Sequence, residues 1–171
     1  MYTLGPLDAS HRGALVDLLG ATGAFTADEV AVALELFDDA FDRPGTSSAD
    51  YEFIAAFGPA GGLAGYCCYG PTPATSGTYD VYWIAVDPRH QRGGVGSMLL
   101  DEVEQRLTDR GARLVVVETS GRAAYDATRR FYGARGYRVA ARLHDFYAPA
   151  DDRLVLTRGI GGSPSPAMRG V

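Results

Sequence analysis

The segment Trp83-Ile84-Ala85-Val86-Asp87-Pro88-Arg89-His90-Gln91-Arg92-Gly93-Gly94-Val95-Gly96 runs an apolar strand into a glycine turn and the turn into a helix. The strand is predicted over Thr78 to Val86. The helix is predicted to about Arg110, with Val95, Leu99, Val103 and Leu107 at four-residue steps on one face. The first N–H groups of a helix have no intrahelical acceptor. Glycines clear side chains from the approach to those donors. The segment therefore predicts a seat for a phosphate or pyrophosphate. A further strand over Leu114 to Glu118 makes Tyr79 to Glu118 a right-handed parallel crossover. The seat then lies at the C-terminal end of a central strand, where open α/β sheets place ligands.

The rest of the chain supplies the partners of that crossover. Tyr2 to Leu7 reads as a strand, and Asp8 or Ser10 can cap the helix after it. Thr26-Ala27-Asp28-Glu29 is a capping-box pattern opening a second helix to about Phe41. Arg43 to Ser48 reads as a loop. Tyr51 to Phe57 and Leu63 to Tyr69 form a predicted hairpin. Ala123 to Arg135 reads as a helix stopped by Gly136. Tyr137 to Leu143 and Leu154 to Arg158 read as closing strands around a loop with Pro149. The order predicts an α/β fold with a mixed sheet in one domain over residues 1–158. Residues 159–171 hold Gly, Pro or Ser at eight of 13 positions and are expected to be a disordered tail.

Composition removes several function classes. The net charge of −5 argues against a general nucleic-acid footprint. All 16 basic residues are Arg, and the chain has neither Lys nor Asn. No apolar run approaches the ~20 residues of a membrane span. No leader pattern opens the chain, so a cytoplasmic location is expected. Cys67 and Cys68 are adjacent, which predicts opposite strand faces and buried free thiols rather than a bridge. No Cys/His spacing suggests a metal site.

The missing lysine excludes a P-loop, which needs Lys-Ser/Thr after its last glycine. A dinucleotide fingerprint needs a third glycine where this chain has Leu99, and a tight turn where seven residues separate Val86 from Gly94. Gln91-Arg92-Gly93-Gly94-Val95-Gly96 instead resembles the Q/R-x-x-G-x-G/A signature of the GNAT superfamily of acetyl-CoA-dependent N-acetyltransferases. Thr128 to Tyr137 resembles the family's later F-Y-x-x-x-G-F/Y segment. Both motifs stand in order on the elements that the family uses.

That resemblance implies a mixed, mostly antiparallel sheet of about six to seven strands, with a parallel central pair splayed for CoA and flanking helices. It implies that the Ile84 amide meets the thioester carbonyl and that Ala85 and Val86 lie along the pantetheine arm. The N–H groups of Arg92, Gly93, Gly94, Val95, Gly96 and Ser97 would hold the pyrophosphate, and Gln91 would stand with them among the CoA-binding residues. Tyr132 matches the family tyrosine beside the sulfur, a general acid for the leaving thiolate. Tyr125 stands where many members carry an Asn that touches the arm. Arg129 and Arg130 could reach the 3′-phosphate. Asp80 matches a glutamate base of some members and would act through a water. Glu118 and ordered water alone are the alternatives to it. Asp80, Tyr82, Ile84 and Val86 share a parity and are expected on one strand face.

The implied reaction is direct attack of a primary amine on acetyl-CoA in a ternary complex, without a metal. The alternative is an acyl-CoA-binding regulatory module without turnover. The helix from Asp28 carries Glu29, Glu35, Asp38, Asp39 and Asp42, which suits a cationic acceptor and equally a solvated acidic face. His144 to Asp152 is expected to form an acceptor lid. The resemblance allows a homodimer, for which the sequence specifies no interface.

Overall fold

A computed structural model describes residues 1–41 and 51–161. The strands are β1 (Thr3–Gly5), β2 (Glu52–Phe57), β3 (Leu63–Pro71), β4 (Thr78–Val86), β5 (Leu114–Ser120), β6 (Arg138–Ala148) and β7 (Asp151–Gly159). The helices are α1 (Arg12–Thr22), α2 (Ala27–Phe41), α3 (Val95–Asp109) and α4 (Asp126–Ala134). Strand order in the sheet is β1-β2-β3-β4-β5-β7-β6, with β4 parallel to β5 and the sheet mixed. No helix of the described residues is long and apolar enough to cross a membrane. The expected loop over Arg43 to Ser48, Asp42, and the tail beyond Gly161 lie outside the described residues.

The chain divides into two compact units. The first comprises Met1–Pro71 and Val81–Gln105, the second Thr72–Asp80 and Arg106 onward. β4 thus belongs to both, its first three residues to the second unit.

In the first unit β1, β2 and β3 are antiparallel, with Thr3 opposite Phe57 and Ile54 opposite Cys67. α1 and α2 cover one face through Leu15, Leu18, Leu19, Ala33 and Phe37, each 2% exposed or less, against Ala55, Tyr66 and Cys68. A fully buried Leu or Phe contributes ~1.5–3 kcal/mol. The capping box forms as predicted: Glu29 N–H donates to Thr26 Oγ1 at 3.2 Å and Thr26 N–H to Glu29 Oε2 at 2.7 Å. The predicted stripe of α3 is buried, Val95 at 1% and Leu99, Val103 and Leu107 at 0% exposure. Cys67 and Cys68 are buried free thiols at 0% exposure, and burial pushes both thiols up in pKa.

In the second unit β7 lies between β5 and β6, antiparallel to both, with Val117 opposite Leu156 and Val139 opposite Leu156. β5 runs two residues past its predicted end, and the helix expected over Ala123 to Arg135 is a 3-10 turn, Ala123–Tyr125, followed by α4. The closing strands are longer than predicted and meet at a two-residue turn, Pro149-Ala150, with Ala150 at φ 64°. Most of the expected lid over His144 to Asp152 is therefore strand. At the other end Gly159 completes β7, and Ile160 is 9% exposed with its N–H on the Arg113 carbonyl. Those two residues belong to the folded second unit rather than to a tail.

Candidate active site

The turn after β4 begins with a carboxylate. Asp87 is 3% exposed and caps a short 3-10 turn, Pro88–His90, accepting from Arg89 N–H at 2.8 Å. Arg89 Nη2 donates to its other oxygen at 2.8 Å, and this guanidinium holds the Asp87 pKa down at about 2. Asp87 N–H donates to the Ala64 carbonyl at 2.9 Å, tying the turn to β3. Gln91 Nε2 reaches back to the Val86 carbonyl at 3.3 Å.

Gln91 to Gly94 are then exposed in a row. Arg92 has φ 62° and Gly94 φ 80°, while Gly93 between them has no positive φ. Such alternation turns successive N–H groups toward one side and makes an anion-binding concavity. The glycines serve different ends. A Cβ on Gly93 would meet His90 O and Tyr2 Oη, each at 3.1 Å, so Gly93 lets the turn close against the Tyr2 side chain just ahead of β1. Around Gly94 there is open space, and its left-handed φ is the constraint. Met98 N–H bonds to Gly94 O at 2.9 Å and starts the α3 ladder. The N–H groups of Val95, Gly96 and Ser97 precede that ladder and have no intrahelical acceptor. These features fit an anionic phosphate group.

Along β4, Ala85 is 5% exposed and Ile84 and Val86 are half-buried. Neighbouring Tyr82 and Trp83 both pack against the α1–α2 core, through ring contacts to Tyr51 at 5.2 Å and Phe25 at 5.0 Å. Val81 and Ala85 are the buried positions of β4, and Asp80, Tyr82, Ile84 and Val86 are all half-buried between and beside them.

The second unit holds the other predicted residues. Asp80 is half-buried and accepts a hydrogen bond from Thr72 Oγ1 at 2.6 Å. Thr72 sits in the β3–β4 loop, and no local pattern in the sequence marked it. Tyr132 is 2% exposed on α4, with its ring edge-on to Phe131 and Tyr137, both at 5.2 Å. Tyr125 is half-buried beneath the Arg122 guanidinium, 5.5 Å from its ring centre. Arg129 is occupied within the unit: it donates to Ser120 O at 2.5 Å, to Arg122 O at 2.9 Å and to Asp126. That clasp holds the β5–α4 connection. Arg130 beside it is exposed. Glu118 pairs with Arg153.

The acceptor-side residues are likewise partly engaged. Asp38 forms a forked pair with Arg12 at 2.6 and 2.8 Å, which lowers its pKa, and Glu29 serves the capping box. The acidic face of α2 is thus partly structural. His144 Nδ1 lies 3.2 Å from Asp152, and His90 Nδ1 lies 3.2 Å from Tyr2 Oη. Ser120 and Asp151, both 6% exposed and hydrogen-bonded to each other, join β5 to β7 and were not singled out in the sequence.

Comparison with known proteins decides the family. The Acetyltransferase (GNAT) family model matches residues 22–137. The chain belongs to the GNAT family of acetyltransferases. A Desulfovibrio desulfuricans protein assigned to this GNAT family is 38% identical, covering 93% of this chain and 99% of that one at a TM-score of 0.85. Two more distant structures share the GNAT fold. One is the Escherichia coli ribosomal-protein-S18-alanine N-acetyltransferase, 20% identical over 97% of this chain and 98% of that one, TM-score 0.75. The other is Salmonella typhimurium yncA with its cofactor acetyl-CoA, 17% identical over 98% of each chain, TM-score 0.71. A search of the curated proteins returned no match. As a GNAT acetyltransferase the chain is an acyltransferase.

Proposed function

We propose that this enzyme moves an acetyl group from acetyl-CoA to a primary amine by direct attack in a ternary complex. The observation that carries the reading is the exposed left-handed pair Arg92 and Gly94 at the head of α3. The N–H groups of Arg92 and of Gly94 to Ser97 take the pyrophosphate, that of Gly93 being engaged by the His90 carbonyl at 3.4 Å, and the Arg92 guanidinium adds charge. The backbone of Ala85 and Val86 pairs with the pantetheine arm, with Tyr125 beside it. Ile84 N–H donates to the thioester carbonyl oxygen and strengthens that bond as negative charge develops there.

Asp80, oriented by Thr72, accepts the proton of the incoming amine through a water. Tyr132 donates its phenolic proton to the departing sulfur. Its burial among Phe131 and Tyr137 holds the ring in one orientation. Glu118 is the weaker base, because Arg153 already pairs with it. Arg130 reaches toward the 3′-phosphate.

The test joins CoA titration calorimetry to free-thiol release with a panel of primary amines. Saturable CoA binding and amine-dependent thiol release are expected. CoA binding without amine-dependent release across the panel would leave only a binding module.

A further inference from the structure

The first unit holds a cavity of about 540 Å³, and none of residues 91–97 lines it. Small-molecule sites span about 300–1,000 Å³. Three segments wall the cavity: α1, the turn between β2 and β3, and the stretch from Asp87 to His90. It lies on the α1 side of the sheet, where Tyr66 and Cys68 join the α1–α2 core. α3 covers the other side, since a Cβ on Gly65 would meet Val95 at 3.0 Å and Leu99 at 3.2 Å. The cavity and the helix that carries the phosphate seat are therefore on opposite faces.

The walls are fixed by contacts of their own. Gly58 N–H donates to Gly62 O at 2.8 Å and Gly61 N–H to Gly58 O at 2.9 Å, which closes the β2–β3 turn. The His90 ring packs on that turn, so close that a Cβ on Gly58 would sit 3.4 Å from it. Tyr2 Oη lies 3.2 Å from His90 Nδ1 and also holds the ring.

The lining is apolar over Ala14, Leu18, Ala21, Pro59 and Leu63. Its charged groups have opposite signs and spare capacity. Asp17 is exposed on α1 and forms no hydrogen bond or ion pair among the described residues. Arg89 spends Nε and Nη2 on Asp87, and its Nη1 has no acceptor among the described residues. One uncommitted carboxylate, one uncommitted guanidinium N–H and an apolar wall complement a molecule with an aliphatic body and both charges.

We propose that this cavity binds a small aliphatic zwitterion, a free amino acid or a dipeptide. Its carboxylate takes Arg89 Nη1, its ammonium takes Asp17, and its side chain packs on Leu18 and Leu63. Binding leaves the fork between Arg89 and Asp87 intact, so the turn keeps its anchor. The inference does not rest on the acetyl-transfer reading, because no residue given a part in CoA binding or in the reaction lines the cavity.

The test is calorimetric titration of the full chain with L-leucine and with alanyl-leucine. Isopentylamine, which lacks the carboxylate, isocaproate, which lacks the ammonium, and glycine, which lacks the side chain, are the comparisons. At least one zwitterion is expected to bind saturably, and the tighter of the two gives the length of the ligand. Each comparison compound should bind at least about tenfold more weakly, as loss of one charge-assisted bond or of the apolar contact allows. Asp17→Asn should weaken the zwitterion about tenfold and leave isocaproate unchanged. Ala14→Phe, at an exposed α1 position, fills the cavity and should abolish binding with the melting temperature retained. Absence of binding by both zwitterions, isopentylamine or isocaproate binding as tightly as they do, or wild-type affinity in Ala14→Phe overturns the proposal.

Discussion

Arg92 and Gly94 adopt left-handed backbone conformations one residue apart, at φ 62° and 80°, where the turn enters α3. A side chain with a Cβ costs roughly 1–2 kcal/mol in that region. Arg92 carries that strain while Gly94 does not. Gly94→Val is expected to reduce CoA affinity at least tenfold while leaving a folded protein. Calorimetric titration beside a circular dichroism melt separates the two effects, and unchanged affinity would remove the phosphate seat from Gly94.

Asp87 anchors the start of the same turn. Its carboxylate is nearly buried, and Arg89 holds its pKa at about 2, below the usual aspartate range. A depressed carboxylate contributes stability that is fully present above the unfolded pKa. That contribution is lost as pH falls through the folded one. Asp87→Asn should cost about 2 kcal/mol at pH 7, combining a lost ion pair with a weakened cap. The difference from wild type should shrink between pH 4 and pH 2. Urea melts across that range check it, and a gap that persists at pH 2 would assign the loss to packing.

Tyr132→Phe keeps the ring contacts with Phe131 and Tyr137 and removes only the hydroxyl. Turnover should fall about 10²-fold or more, with CoA affinity changed less than threefold. Parallel loss of both would make Tyr132 a binding residue.

Asp80 and Glu118 separate by substitution. Asp80→Asn should lower kcat/KM by about 10–100-fold with CoA affinity unchanged. Glu118→Gln loses a half-exposed pair with Arg153 and should cost about 0–1 kcal/mol of stability with little change in rate. The reverse ranking would move the base to β5.

Arg129 and Arg130 are neighbours with different tasks. Arg129→Ala breaks the clasp on Ser120, Arg122 and Asp126, and should lower the melting temperature. Arg130→Ala should weaken CoA binding, with the effect diminishing as salt rises. Equal effects of both variants on CoA affinity would argue against this division.

The features legible in the sequence are those written in local periodicity. Valine and leucine at four-residue steps marked α3, Thr26 and Glu29 marked the start of α2, and the bounds of β4 came from its apolar run. Both glycine-turn and tyrosine motifs were legible because each occupies one short segment. Contacts that join distant residues to backbone atoms were not. Arg129 is held by carbonyls that any residue would supply. Thr72 meets Asp80 only because the β3–β4 loop returns. The closed end of the β6–β7 hairpin, residues 144–153, was read as a loop because its turn uses Ala150 at a positive φ rather than glycine.

Cys67 and Cys68 stand back to back on β3, each sealed in packed interior with its thiol held protonated. Neither can attack a thioester or form a mixed disulfide with released CoA while the fold is intact. In a colorimetric turnover assay the native protein would add no signal of its own, and every equivalent of reagent consumed would count product.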